Sequence, residues 1–282
     1  MRSAWLKIVV AAVVLAGLGA LAYRSQGAIH LANFSWSRLW IEVAGTHKQY
    51  LVAASVAVYL AYLLRALRWQ RFCRYLGPSS LRDVFEPTLM GFAALFVLGR
   101  AAEPIRPLLI ARRCRMAVSS MFGIYVLERL FDTAATAVLA GLSLLLFRGE
   151  LAAGGEWERR IRVAGGALLA GLVVFAAFLA YFQIHGAGFL QRRLISWRAR
   201  GGWRGFAATQ VTEFSDGLQA VRGLSDWWAA VAYSTLHWGL IVFIYLWVIR
   251  SFGGALGQLS FSSAMLVLSF TIRGWLVQLP GV

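Results

Sequence analysis

Charged side chains are scarce in this sequence, since Asp, Glu, Lys and Arg together make up only 14% of its 282 residues. A soluble domain usually carries about a quarter charged residues. Lysine is nearly missing, with Lys7 and Lys48 alone, so the other 26 of the 28 basic residues are arginines. Together with 60% hydrophobic residues, this composition excludes an ordinary water-soluble globular protein and predicts an integral membrane protein.

Cysteine and histidine are also few, with two and four copies. Neither Cys73 nor Cys114 belongs to a CxxC or Cys/His pattern, so no metal site, disulfide framework or cofactor is expected. The sequence has no P-loop, nucleophile elbow or zinc-protease motif, so we expect no enzyme, and transport that is passive or ion-coupled. The net charge of +16 suits anionic lipid and basic cytoplasmic loops and predicts no nucleic-acid partner.

Long apolar runs divide the chain into membrane segments. A span needs about 20 mostly apolar residues, and six segments are predicted as spans: 5–23, 50–67, 119–147, 163–184, 227–249 and 256–279. A seventh run, 84–98, is interrupted by Pro87 and Gly91 and is too short to span comfortably. The predicted fold is therefore all-α, a polytopic transmembrane helical bundle that forms a single domain over 1–282.

The arginines predict how the chain is oriented. With the N-terminus inside, and with 84–98 dipping into the membrane and returning, 18 basic residues fall in inside segments and eight in outside loops. A full crossing by 84–98 would put two strongly basic segments on opposite sides, against the positive-inside rule. We therefore expect a re-entrant segment at 84–107 and a cytoplasmic N-terminus. Because re-entrant backbone needs protein or a water-filled cavity around it, a polar cavity is also expected.

One inside segment, 205–224, has its own pattern. Its apolar residues recur at steps of three and four, as on an amphipathic helix. We predict that this helix lies along the inner membrane interface.

The first charged motif holds Arg100, Glu103 and Arg106, directly after the apolar run 84–98. Pro104 and Pro107 oppose a regular helix here and favour an extended or broken backbone. Such a break frees backbone groups that can bind the polar part of a ligand. The alternative is a solvated loop that simply follows a helix.

The second charged motif, Glu128, Arg129 and Asp132, lies inside the predicted span 119–147. Ionisable groups in a span cost roughly 2.5–3.5 kcal/mol each unless they face a cavity or one another. Arg129 and Asp132 are three apart and can pair. Glu128 and Asp132 would repel unless a cation lies between them, and the arginines of 99–115 are the nearest partners in sequence. The alternative is a buried structural ion pair.

A third feature is Arg273, within the last apolar segment. Its side chain either reaches a membrane interface or enters the same cavity as the two charged motifs.

These motifs together resemble the lysylphosphatidylglycerol synthase transmembrane-region family, also described as flippase-like proteins. The resemblance runs from about residue 45 to the end and rests on four stretches: 99–106, 128–132, 214–222 and the closing Leu-Pro-Gly at 279–281. Ala102 stands where the family has glycine. Family members usually continue beyond the Pro-Gly break, so we expect that the C-terminal part of the family domain is missing. Lipid aminoacylation is not expected, because the family's soluble transferase domain has no counterpart here.

The resemblance implies a lipid-handling protein of the bacterial cytoplasmic membrane. Our hypothesis is a translocase, or a lipid-binding subunit of one, for lipids or lipid-linked glycoconjugates. Guanidinium groups match phosphate geometry, so anionic phospholipid or glycolipid headgroups are the expected ligands. The predicted headgroup site comprises Arg100, Glu103, Arg106, Glu128, Arg129, Asp132 and Arg273.

Two alternatives belong to other classes of protein. In the first, the chain is a membrane-embedded enzyme whose carboxylates act as acid and base. In the second, it is an accessory subunit or scaffold of cell-envelope lipid or glycolipid synthesis. The expected protein partners are envelope-synthesis enzymes or a second copy of the chain.

Overall fold

The part of the chain that the structure, a computed structural model, describes comprises residues 35–146, 202–276 and single positions between 159 and 177. It is helical and contains no strand, which confirms the predicted all-α membrane bundle. The predicted span 5–23, most of 163–184 and the closing 279–281 lie outside this part. In chain order the helices are α1 Trp36–Ala44, α2 Lys48–Cys73, α3 Leu81–Leu98, a 3₁₀ turn Gly99–Ala102, α4 Ile105–Cys114, α5 Val118–Leu146, α6 Gly202–Leu218, α7 Leu224–Ser251, α8 Gly254–Gly257 and α9 Phe261–Leu276.

Helix α1 belongs to a compact unit of its own, Met1–Thr46. Its tryptophans, Trp36 and Trp40, are both exposed. After its C-terminus, the Thr46 hydroxyl donates to the Val43 carbonyl at 2.8 Å. The remaining described helices belong to the second unit, His47–Val282.

Three of the helices within the described ranges are long and apolar enough to cross a membrane: Lys48–Cys73, Leu81–Ala102 and Leu224–Ser251. At ~1.5 Å per residue, a helix of about 20 residues matches the ~30 Å hydrocarbon core. The predicted spans 50–67 and 227–249 lie within α2 and α7, and α2 continues further, to Cys73. Large apolar side chains remain on the outside, such as Phe96 at 93% exposure, as expected of surfaces that face lipid.

The segment predicted as too short to span is longer than its apolar run. The capping box formed by Ser80 and Asp83 starts α3 at Leu81, and the 3₁₀ turn extends the helical path to Ala102. These 22 residues are long enough to cross a membrane, so the length argument from the sequence was wrong. It failed because the polar first turn, with Arg82 and Asp83, was counted as loop.

After the 3₁₀ turn, α4 folds back along α3 and forms a helical hairpin. At its open end, Arg113 Nη2 lies 2.6 Å from Glu86 Oε2. Nearer the tip, a Cβ built on Gly91 would lie 2.7 Å from Arg106 Cβ, so only glycine permits this approach. The re-entrant placement of 84–107 stays a prediction.

The two prolines of the hairpin act differently from the expectation. The backbone is broken at 103–104 but is not extended, because Gly99–Ala102 forms a 3₁₀ turn. Pro107 lies in the first turn of α4, where its missing N–H leaves no hydrogen bond unmade. The prolines therefore set a tight reversal between two helices.

Helix α6 corrects the predicted amphipathic helix 205–224. It begins earlier, at Gly202, and ends at Leu218, while Leu224 starts α7. It packs closely against α5, since a Cβ on Gly217 would lie 2.0 Å from the Ser120 carbonyl oxygen. Gly123 makes the reciprocal approach, because its Cβ would lie 2.2 Å from the Phe214 carbonyl oxygen. The helix is thus docked on the bundle, and its place at the membrane interface stays a prediction.

The predicted span 256–279 is also corrected. The short helix α8 and a turn precede α9, which begins only at Phe261. Its apolar face packs Ala264, Met265 and Leu268 against Val242 and Leu246 of α7. A single helix through 256–279 fails because the chain turns at 258–260, where Arg250 donates to the Leu259 carbonyl and the Ser260 hydroxyl accepts from the Ser263 N–H at the start of α9.

The main core surrounds the second half of α2. Trp69 and Phe72 are fully buried there, and they belong to one cluster with Ile110 of α4, Ile124 of α5 and Ala230 of α7. This packing brings α2, α4, α5 and α7 around a common centre, beside which the charged residues lie.

Candidate functional site

Helix α5 presents two carboxylates to the centre of the bundle. Glu128 and Asp132 are four residues apart and therefore share one helix face. Glu128 is fully buried and Asp132 is 5% exposed. Val118 is the first residue of α5, and Glu128 lies about 15 Å further along the helix axis at ~1.5 Å per residue. Both carboxylates are therefore far from the helix end and need cationic partners inside the protein.

Helix α2 supplies two of those partners, Arg65 and Arg68, which lie one turn apart. Arg65 Nη1 is 3.3 Å from Glu128 Oε1, and its Nη2 is 3.2 Å from Asp132 Oδ2. Arg68 Nη2 lies 3.0 Å from Glu128 Oε1 and 2.8 Å from Asp132 Oδ1. Both arginines bridge the carboxylates, which meets the requirement for a cation between Glu128 and Asp132. The sequence prediction missed both, because it counted them with the basic loop 65–83.

Helix α4 supplies Arg106, whose Nη1 and Nη2 donate to the two oxygens of Glu128. Its guanidinium carbon also lies 4.8 Å from the centre of the Trp69 ring, within cation–π distance. The arginine is 5% exposed. The predicted pairing of Glu128 with an arginine of 99–115 is therefore present, and it ties the hairpin to α5.

Arg129 is the most accessible arginine of the group, with 38% of its side chain exposed. Its Nη2 lies 3.2 Å from Asp132 Oδ2, which is the pair expected from their spacing. Its guanidinium also lies 5.3 Å from the Tyr125 ring.

Helix α7 adds polar residues that sequence reasoning did not assign to the site. His237 Nδ1 lies 3.1 Å from the Ala61 carbonyl oxygen and therefore carries the proton. Its Nε2 then accepts from Arg65 Nη2 at 3.0 Å, which requires a neutral imidazole. The Ser234 hydroxyl accepts from Arg68 Nη1 at 2.6 Å. The sequence did contain a signal for these site residues, because they are isolated polar residues within the apolar run 227–249.

The charges of this arginine cluster, defined as Arg65, Arg68, Arg106 and Arg129 around Glu128 and Asp132, do not cancel. Four guanidiniums face two carboxylates, so two positive charges remain. The Nε atoms of Arg65, Arg68 and Arg129 are buried and have no hydrogen-bond partner within the described part of the chain. Unmatched donors and surplus positive charge both call for an anionic acceptor.

A cavity of about 130 Å³ opens beside the cluster. Its polar lining comes from Arg65, Glu103, Arg106, Arg129 and Asp132, and its apolar walls include Phe92, Leu95 and Trp238. The cavity therefore joins three of the four clustered arginines to an apolar surface.

The rim of the cavity carries Glu103, at the tip of the hairpin. Glu103 accepts a hydrogen bond from the Tyr125 hydroxyl, and its Oε1 lies 3.2 Å from Arg100 Nε. Arg100 and Glu103 thus form a pair at the mouth of the cavity, next to the cluster.

The structure brings most of the predicted site residues together. Glu103, Arg106, Arg129 and Asp132 line the cavity, Glu128 lies beneath them, and Arg100 pairs with Glu103. Arg273 lies in α9, and its side chain is outside the described part. Within that part no group of three or more His, Cys, Asp or Glu side chains could hold a metal ion. The headgroup role of these residues stays a prediction.

Comparison with known proteins identifies a family. A family model described as "Lysylphosphatidylglycerol synthase TM region" matches residues 5–281. Neither a curated protein nor a solved structure matches the chain.

Proposed function

Because the chain belongs to the lysylphosphatidylglycerol synthase TM region family, we propose that it binds anionic lipid headgroups in the arginine-lined cavity and moves them across the bilayer. The family points to an integral membrane protein tied to lipid or cell-envelope biosynthesis. The observation that carries the finer proposal is the surplus of two positive charges in the arginine cluster beside an open cavity.

The chemistry of the cavity favours a phosphate group. Guanidinium presents paired N–H donors that match two phosphate oxygens. Arg65, Arg106 and Arg129 all line the cavity, and Arg129 is accessible enough to meet a ligand first. Glu128 and Asp132 hold the arginines in place before the ligand arrives, so little ordering is needed on binding.

The size of the cavity favours a headgroup rather than a whole lipid. About 130 Å³ accepts a small polar group, while acyl chains remain in the surrounding bilayer. Phe92, Leu95 and Trp238 give the cavity apolar walls that suit the hydrocarbon next to the headgroup of a lipid or lipid-linked glycoconjugate. Glu103 and Asp132 provide acceptors for any cationic or hydroxyl part of the same headgroup.

We further propose a location in the bacterial cytoplasmic membrane with the N-terminus on the cytoplasmic side. The distribution of arginines supports this orientation, since most fall in segments predicted to be inside. Envelope-synthesis enzymes, or a second copy of the chain, are the protein partners we propose.

A membrane-embedded enzyme or an accessory subunit of envelope synthesis is the alternative. Catalysis by a carboxylate needs a group that is free to accept or donate a proton, whereas Glu128 and Asp132 are each held by several arginines. This favours a binding and transport role. Incubating the purified protein with lipid extracts and finding a new lipid product by mass spectrometry would support the enzyme instead.

The transport proposal is tested with purified protein in vesicles that contain a fluorescent phosphatidylglycerol, followed by quenching of the outer leaflet. Arg129→Gln removes one cavity arginine that is not buried, and we expect flipping about tenfold slower. Arg112→Gln, at an exposed position of α4, is the matched control and should flip like the wild type. Equal rates for both variants would contradict the proposed headgroup site.

A further inference from the structure

A second group of arginines lies at the C-terminal end of α2, outside the cavity. Arg71 Nε lies 3.0 Å from Asp226 Oδ1, and Arg74 Nη2 lies 2.9 Å from the same oxygen. Asp226 is fully buried and also accepts from the Tyr75 hydroxyl at 2.7 Å. The Arg222 guanidinium lies 4.8 Å from the centre of the Tyr75 ring. Two guanidiniums therefore pair with one carboxylate, and Arg222 contacts it through its backbone N–H at 3.4 Å.

Beside these arginines is a pocket of about 430 Å³. We call it the arginine pocket and define it by Gln70, Arg71, Arg74, Ser79 and Tyr233, which line it. Gln70 and Arg71 lie in the last turn of α2, and Arg74 follows the helix directly, three and four residues further on. The turn after α2 forms one side of the pocket, and Gln70 Nε2 holds it by donating to the Ser79 carbonyl at 3.1 Å.

The arginine pocket is separate from the cavity. The two share no lining residue. Along α2, Arg71 lies about 9 Å from Arg65 at ~1.5 Å per residue, toward the turn between α2 and α3.

The guanidiniums at the pocket have donors to spare. Arg71 meets Asp226 through Nε, and Arg74 meets it through Nη2. Arg71 Nη1 and Nη2, together with Arg74 Nη1, have no hydrogen-bond partner among the described residues, and 36% and 38% of the two side chains are exposed. Asp226 fixes both arginines from the buried side, so they are ordered before any ligand binds.

From this geometry we infer that the arginine pocket is a second anion-binding site, which takes the phosphate of a lipid headgroup or of a free phosphorylated molecule. It lies at the end of the bundle that the arginine distribution predicts to be cytoplasmic. The inference does not depend on transport through the cavity, because different residues carry it.

The test is native mass spectrometry of the purified protein with added dihexanoyl phosphatidylglycerol below its micelle concentration. Arg71→Gln/Arg74→Gln/Asp226→Asn removes the site without leaving a buried unpaired carboxylate. Ser79→Phe fills the pocket and keeps all three charges, so it covers the case in which the triple variant folds poorly. Arg82→Gln is the control: its side chain is 81% exposed, and it lowers the net charge by one, as the triple variant does.

We expect two phosphatidylglycerol sites in the wild type. Both pocket variants should bind the lipid about tenfold more weakly at the arginine pocket, while Arg129→Gln should weaken binding at the cavity. Displacement of the lipid by inorganic phosphate would identify a free phosphorylated molecule as the ligand. Retention of the lipid in the presence of phosphate would identify the headgroup. Binding by both pocket variants equal to that of Arg82→Gln would overturn the site.

Discussion

At the scale of single residues, Glu128 holds together side chains from three helices. It is fully buried, and it pairs with Arg65 and Arg68 of α2 and with Arg106 of α4. Removing one partner of a buried pair leaves charge without compensation, which costs about 3–5 kcal/mol.

We therefore expect Glu128→Gln to lower the free energy of unfolding by about 3–5 kcal/mol, because three buried arginines lose a shared anion. Thermal unfolding in detergent, followed by fluorescence, measures the change. Glu86→Gln is the matched control: its carboxylate is partly exposed at the open end of the hairpin, where ion pairs contribute little. Similar losses in both variants would show that Glu128 is not the centre of the cluster.

The sequence predicted the local part of the site better than the distant part. The Arg129–Asp132 pair follows from their spacing, and Arg106 was among the few arginines near Glu128 in sequence. Arg65 and Arg68 lie at least 60 residues from Glu128, so no local pattern connects them to it. One pattern in the sequence does indicate that these arginines are buried: Trp69, Phe72 and Cys73 continue the apolar face of α2 past them.

At the scale of helices, close backbone contacts at glycine set how the elements pack. A Cβ on Gly217 would lie 2.0 Å from the Ser120 carbonyl oxygen, whereas no described residue lies within 4 Å of a Cβ on Gly239 of α7. Both glycines lie in helices, where alanine is ordinarily favoured by about 1 kcal/mol.

The two glycines should respond to alanine with opposite sign. Gly217→Ala forces α6 away from α5, and overpacking of this kind costs about 1–3 kcal/mol. Gly239→Ala should leave stability unchanged or raise it by up to about 1 kcal/mol. Unfolding midpoints of the two variants in the same detergent check this, and destabilisation by Gly239→Ala alone would contradict the described packing.

Helix boundaries were harder to predict than helix identity. The apolar runs of α2 and α7 were recognised, but polar first turns and buried arginines extend helices beyond such runs. The 3₁₀ turn that prolongs α3 and the break between α8 and α9 depend on tertiary packing and on glycine, which hydropathy alone does not register.

At the scale of the whole molecule, α2 and α7 run antiparallel and contact each other at both of their ends. The His47 N–H donates to the Ser251 carbonyl at 2.8 Å, which places the start of α2 beside the end of α7. Arg71 and Asp226 meet at the other end. The arginine distribution predicts that this second end is cytoplasmic.

Labelling with a membrane-impermeant maleimide tests this topology and the re-entrant segment. In a Cys73→Ser/Cys114→Ser background, Arg112→Cys should react from the cytoplasmic face and Gln258→Cys from the outer face. Leu98→Cys, near the hairpin tip, should not react from the outer face, because 84–107 is predicted to turn back within the membrane. Rapid outer labelling of Leu98→Cys would show that the hairpin crosses fully.

The pairing of α2 with α7 has a consequence for how such a molecule can change shape. Their contacts occur at successive levels, through Arg65 and His237, Arg68 and Ser234, and Arg71 and Asp226, so sliding one helix past the other would break all of them together. This pair therefore forms a rigid frame. Arg106, by contrast, fastens the hairpin to α5 through the same guanidinium that lines the cavity. A phosphate that competes with Glu128 for Arg106 would release the hairpin from α5 while α2 and α7 stay paired. Binding of the ligand would then itself open the cavity through which the headgroup moves.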